Sequence, residues 1–425
     1  VIYLDHAATT SLRESARSVM VDAFAGPPGN PSGQHSAARS AKYALEEVRE
    51  QFADLIGVRP NQVIFTGGGS EADNLAILGT TRGWTERKRV LVSAGEHKAV
   101  LSSADLAIAE LHRRADLDPL PSGKGVAVSA ARPVETASAP KAERIPLTSA
   151  GAVDLDALRT LLGSVAPADP VGLVAVMAVN NETGVIQPLQ AVGQMLGGQW
   201  PDAVLFVDAV QAGPWLDLGP IAAVADLVAV SAHKFGGPQG VGALIANDPR
   251  RLRPLVVGGG QEWGARSGTH NVAGIEAMVA ALIETTAARR EESARVIQLA
   301  DSFREQLRAR QPNAIWNTDP ATTVPGIIHL RLPGLESETV LAMLDEAGVC
   351  AAAGSSCQSG AIEPSHVLLA MGMSDHEANS SIRLSLGWTT TQADIDGGVA
   401  ALDSVIARLG GLTAQAASDV ERGRT

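Results

Sequence analysis

The chain has 425 residues, 45% of them hydrophobic, with 43 glycines and a formal net charge of −12. This fits a large α/β enzyme unit or two to three domains, and argues against a nucleic-acid-binding surface. Its cysteines, Cys350 and Cys357, form no disulfide framework and point to a reducing, cytoplasmic setting, and no apolar run approaches the roughly 18 residues of a membrane span.

In chain order, Ile2-Tyr3-Leu4 reads as a short strand running into the polar turn Asp5-His6-Ala7-Ala8-Thr9-Thr10, and the start has no signal-peptide shape. A loop over 26–36 precedes a helix with Leu45, Val48, Phe52, Leu55 and Ile56 at helical spacing, stopped by Gly57. Strand 62–65 is followed by Thr66-Gly67-Gly68-Gly69-Ser70-Glu71 and an apolar helix. A glycine run at a helix N-terminus suits a phosphate, although Ser70 could equally be a plain N-cap. The spacing matches neither the P-loop nor the dinucleotide fingerprint.

Strand 89–93 ends at Glu96-His97-Lys98. Residues 114–148 have the texture of an irregular surface excursion. A buried strand over 171–179 leads to Asn180-Asn181-Glu182-Thr183-Gly184, and one over 203–207 leads to Asp208-Ala209-Val210-Gln211. The apolar run 227–230 leads to Ser231-Ala232-His233-Lys234 and a glycine-rich loop. Strands alternating with helices predict a mostly parallel sheet with crossover helices. Beyond about 250 come a polar glycine loop with Arg266-Ser267-Gly268-Thr269, a helix from the 270s to 309, and short strands at 324–330 and 348–352. The loop around Cys357 and the stretch Ser380–Gly387 follow, and the whole predicts a smaller α+β unit. Cys350, next to Val349 and alanines, reads as a buried small hydrophobe. The spacing of the two cysteines, without a histidine pair, suggests no metal site.

Five strands thus end in Ser70, His97, Asn181, Asp208 with Gln211, and Ser231 with His233 and Lys234. In a parallel sheet such ends share one edge. The inventory fits pyridoxal 5′-phosphate. Lys234 would hold its aldehyde covalently, and Asp208 would pair with the ring nitrogen. Gln211 would bond the ring's phenolic oxygen and His97 would stack on its face. Gly69, Ser70, Ser231 and His233 would take the phosphate.

Leu4–Thr10, Glu96-His97-Lys98, Asn180–Gly184, Val207–Gln211, Ser231–Lys234, Arg266–Thr269 and Ser380–Ser385 together resemble the cysteine desulfurases of the NifS/IscS-like group, class V enzymes of fold-type I. The likeness runs from about residue 2 to 400. It implies a large domain over 14–255 with a seven-stranded sheet, 114–148 being an insertion. A small domain over 1–13 and 256–412 and a flexible tail over 413–425 complete the expectation. It also implies a homodimer with the active site at the interface, Thr269 reaching the phosphate of the other subunit. Arg383 would hold the substrate carboxylate, with Asn181 nearby. Cys357 would take sulfur from L-cysteine as a persulfide and leave alanine, and a sulfur-acceptor protein would collect it for iron–sulfur assembly or thiolation. Two departures stand out: Gly68-Gly69-Ser70-Glu71 in place of Ala-Thr-Glu, and Ser356-Cys357-Gln358-Ser359 in place of Ala-Cys-Thr-Ser. The rivals are a selenocysteine lyase, a class V aminotransferase, which would not need Cys357, and a non-enzymatic sulfur-carrier scaffold.

Overall fold

The computed structural model describes residues 1–86, 88–115, 141–163, 170–354 and 363–422, with side chains omitted at 115 and 411–422. Cys357 and most of the 114–148 segment lie outside the described residues.

A short strand β1 (Ile2–Tyr3) opens the chain. The central sheet is built from β2 (Val63–Thr66), β3 (Arg89–Ser93), β4 (Glu143–Ile145), β5 (Val171–Ala175), β6 (Val204–Asp208), β7 (Leu227–Ser231) and β8 (Gly242–Ala246). Their spatial order is β2-β8-β7-β6-β5-β3-β4. β8 runs antiparallel to both its neighbours, β2 and β7, and the other pairs among the described residues are parallel. β5, β7 and β8 are buried at every residue, as expected of strands covered on both faces.

Successive residues serve opposite faces. Ile64, Val90, Val92, Phe206 and Leu244 pack with Leu75, Ile77 and Val100 of the helices Gly69–Thr81 and Lys98–Ala115. Phe65, Leu91, Leu205, Val207 and Val228 face the other way, toward Leu45 and Phe52 of the helix Ser36–Ile56. Alternation therefore sends each polar strand end to a defined place along the same edge.

The helix Val272–Arg310 spans roughly 60 Å and links two cores. Its first third, Ile275–Leu282, packs with the sheet, while Val296, Phe303 and Leu307 belong to a third cluster. That cluster includes Leu4 and the strands β10 (Ile327–Arg331) and β12 (Ser381–Ser385), which pair with each other, β10 also pairing with β9 (Ile315–Trp316). β1 runs parallel to β11 (Val349–Cys350). The first residues are thus fastened to strands from the far end of the chain.

Three expectations need correction. The segment predicted to be irregular through 148 contains β4, parallel to β3 at the sheet edge. Its sequence, Glu143-Arg144-Ile145, shows one apolar residue, and charge pairs from Arg144 to Asp105 and from Glu143 to Arg89 hold it. Edge strands commonly carry such charges. The stretch from 413, expected as an irregular tail, is helical up to 422, because the last helix runs Gln392–Arg422 with several alanines and no proline. Cys350 is half-buried, not buried, since β11 belongs to a sheet of only two strands.

Candidate active site

β2 is antiparallel to β8, and β8 to β7, so β2 ends at the same edge as the parallel strands. All five polar strand ends therefore meet around one cavity of about 290 Å³, near the lower end for a small-ligand pocket.

At one end lies the start of the helix Gly69–Thr81. Gly68 is its N-cap, with φ 139°, a conformation open to glycine. Ser70 is therefore the second helical residue rather than the cap. A Cβ on Gly69 would fall 2.7 Å from Val210 Cγ2, so glycine lets the helix start approach the strand ends. Gly69, Ser70, Ser231 and His233 all line the cavity. His233 has its pKa lowered to about 4 by burial and then by Lys234, and its Nδ1 meets Thr9 Oγ1 at 3.2 Å. Neutral hydroxyls and backbone N–H groups at a helix start form an anion site.

Asp208 closes β6. It is buried, and its Oδ1 accepts the Val210 N–H at 2.9 Å. Burial raises its pKa, opposed by the Val210 N–H and then by His97 and Lys234. Two carboxyls not singled out from the sequence stand beside it. Glu96 is fully buried and has its pKa pushed up to about 8 by burial and then by Asp208. Its Oε1 accepts the Met177 N–H at 2.6 Å. Asp73 is raised well above the usual range by burial, Asp208 and Glu96. Glu96 Oε2 and Asp73 Oδ1 have no hydrogen-bond partner among the described residues. Clustered buried acids cannot all ionise together, and Glu96, raised to about 8, is held protonated at pH 7. Helical spacing offered a signal for Asp73, which sits four residues before buried Ile77 in a mostly apolar helix.

Lys234 follows β7 in a single turn of 3₁₀ helix. Its Nζ donates to the Ala7 and Ala8 carbonyls at 2.6 and 2.9 Å. Burial, then the Arg383 charge, lowers its pKa to about 8, against the opposing pull of Asp208 and Asp5. In the cofactor-free protein, Lys234 should therefore react with a small aldehyde half-maximally near pH 8, against 10.5 for an ordinary lysine. Peptide mapping after borohydride trapping across a pH series checks this, and a midpoint near 10.5 would refute it.

His97 stands in the open part of the cavity wall, its Nδ1 accepting the Ala99 N–H at 3.2 Å. The surrounding walls lower its pKa, against the pull of Asp208. Gln211 lines the cavity and donates to the Ala7 carbonyl at 2.6 Å. Asn181 and Arg383 complete the lining on the small-sheet side, with Arg383 Nη1 donating to the Asn181 carbonyl at 2.7 Å. Arg383 Nη2 donates to Asp5 Oδ1, also at 2.7 Å. Thr269 is the exception: it is exposed on its loop and does not line the cavity. Arg266 ties that loop to Glu71 in the first turn of the helix Gly69–Thr81. Gly354, three residues before Cys357, lines the cavity.

The donor set fits pyridoxal phosphate: an amine on one side, a buried carboxylate for the ring nitrogen, and a glycine-opened helix start for the phosphate. The match to Gly69 matters most, since any side chain there would crowd Val210 and Ser231.

The family described as Aminotransferase class-V matches residues 2–122 and 123–397. An IscS-like cysteine desulfurase of Mycobacterium tuberculosis is 37% identical over 415 residues, covering 96% of this chain and 96% of that protein. Cysteine desulfurase IscS of Dictyoglomus turgidum is 33% identical over 409 residues, covering 96% and 95%. Among solved structures, a NifS-like protein superimposes with a TM-score of 0.81 at 27% identity, covering 96% of this chain and 99% of that one. DndA from Streptomyces lividans gives 0.68 at 29% identity, covering 90% and 99%.

Proposed function

The chain belongs to the aminotransferase class-V family and is a pyridoxal-phosphate-dependent cysteine desulfurase, and from that premise we propose how its own residues divide the work. L-Cysteine is the substrate. The observation that carries the assignment is the meeting of Lys234, Asp208, His97 and Arg383 around one cavity.

The bound cofactor supplies an electron sink next to the amino acid's α-carbon. Lys234 anchors it, then takes and returns the α-proton; a lowered pKa suits an amine to that task. Asp208 keeps the ring nitrogen protonated, while Gly69, Ser70, Ser231 and His233 hold the phosphate. Gln211 and Asn181 orient the ring oxygen. His97 carries the proton of the substrate thiol, burial favouring the neutral imidazole that can accept it. Arg383 binds the substrate carboxylate through its fork of N–H donors. The Cys357 sulfur takes the substrate's sulfur as a persulfide as the carbon–sulfur bond breaks, and alanine leaves.

We also propose a homodimer. Thr269 lies outside its own cavity, on a loop whose surroundings expose Val256, Val257 and Trp263. Exposed apolar surface of this kind marks an interface, and across it Thr269 would serve the partner's phosphate. The domain division stays with this reading, 14–255 forming the large unit and 1–13 with 256–412 the small one. A sulfur-acceptor protein in iron–sulfur assembly or thiolation, and a cytoplasmic setting that keeps Cys357 reduced, complete the proposal. Among the described residues no helix is long and apolar enough to cross a membrane.

Replacing Cys357 with alanine should leave cofactor binding intact and abolish sulfide release from cysteine in the presence of a reductant. Paired absorbance and sulfide assays check this. Undiminished sulfide would remove Cys357 from the reaction.

A further inference from the structure

One short stretch, Asp5–Thr9, touches several of the residues that line the cavity. The Ala7 carbonyl takes hydrogen bonds from both Lys234 and Gln211. Thr9 meets His233. Asp5 takes the Arg383 guanidinium, with Nη2 to Oδ1 at 2.7 Å. Backbone pairing of Asp5 with Ser385 holds the stretch against β12, the strand that carries Arg383.

Arg383 is only 5% exposed. A buried guanidinium left without an anion is costly, so something must satisfy it before substrate arrives. Asp5 does so through a single oxygen, and Arg383 Nε has no acceptor among the described residues. A guanidinium meets a carboxylate best through two parallel N–H bonds. The Asp5 contact therefore leaves capacity unused, which an incoming carboxylate can exploit. The Asp5 side chain is 21% exposed, and its second oxygen makes no hydrogen bond among the described residues, so it can turn out to water when displaced.

We infer that Asp5 is an internal stand-in for the substrate carboxylate, occupying Arg383 in the resting site and yielding it when an amino acid binds. This rests on Arg383 being the substrate-carboxylate residue. Asp5 then sets a threshold that an amine lacking a carboxylate does not face, and that a carboxylate-bearing ligand must overcome at Arg383.

The test compares L-alanine with ethylamine, which differ by the carboxylate, through their dissociation constants measured calorimetrically on the cofactor-loaded protein. Asp5→Asn keeps the shape and removes the charge. It should bind L-alanine about tenfold tighter, the equivalent of one charge-assisted contact no longer displaced, and bind ethylamine as the parent does. Asp5→Ser should tighten L-alanine in the same direction, and Asp5→Glu should restore weaker binding. Unchanged or weaker binding of L-alanine by both folded Asp5→Asn and Asp5→Ser, as an Arg383-positioning role would give, overturns the inference. Arg383→Lys separates the two levels. If it abolishes the preference for L-alanine over ethylamine while the Asp5 variants do not tighten, the stand-in role alone fails. If the preference survives in Arg383→Lys, the carboxylate assignment itself fails.

Discussion

Lys234→Ala will give a folded protein that holds no lysine-linked cofactor, shows no visible absorption band, and makes alanine from cysteine roughly 10⁴-fold more slowly, because one side chain serves as both anchor and proton carrier. Folding should survive, since among the described residues the Lys234 ammonium bonds only the Ala7 and Ala8 carbonyls. Linkage adds a stability signature in the cofactor-free protein. The folded-state pKa of about 8 lies below the ordinary 10.5. Below pH 8 both folded and unfolded chains hold the proton. Between pH 8 and 10.5 only the unfolded chain does, so stability from this group rises with pH. The parent should gain on Lys234→Ala across that window in thermal melts and show a constant difference below it. A retained visible band, or parallel melting curves up to pH 10.5, would contradict the assignment.

Much of this site is legible in the sequence because parallel sheets impose a simple rule. A short apolar run ending in a polar residue places that residue at the carboxyl edge. Ser70, His97, Asn181, Asp208 and Lys234 each follow such a run, and all five line one cavity. Arg383 was legible differently, through its likeness to a known motif, since it arrives on β12 from a separate sheet. The contribution of Asp5–Thr9 was not. It works mainly through backbone carbonyls, which every residue carries, and through a β1–β11 pairing between segments almost 350 positions apart. Nothing in Ala7 or Ala8 as residue types distinguishes them. Glu96 was hidden by its neighbour: the motif draws the eye to His97, while the acid turns inward beside Asp208. β4 escaped because an edge strand of three residues with two charges shows no apolar period.

The carboxyl cluster yields the second large effect and separates two chemically similar groups. Asp208→Asn keeps the acceptor for the Val210 N–H but loses the negative charge. Without it the ring nitrogen is no longer held protonated, and turnover should fall by roughly 10²- to 10³-fold, the scale of removing one preorganised electrostatic contact. The visible band should persist, because Lys234 is untouched. Glu96→Gln should behave otherwise. An amide closely resembles the protonated acid, can still accept the Met177 N–H, and changes no charge at pH 7, so turnover there should stay within a few-fold of the parent. The difference should emerge in alkali. As pH rises through about 8, Glu96 ionises beside Asp208 in the parent, placing a second negative charge next to the same ring; the variant cannot follow. Rate profiles from pH 6 to 10 for the parent and both variants decide the matter. If Glu96→Gln falls as far as Asp208→Asn at pH 7, the negative charge is shared between the two carboxyls and does not reside on Asp208. If parent and Glu96→Gln share one alkaline limb, Glu96 does not ionise in that range, and the limb belongs to another group such as Lys234.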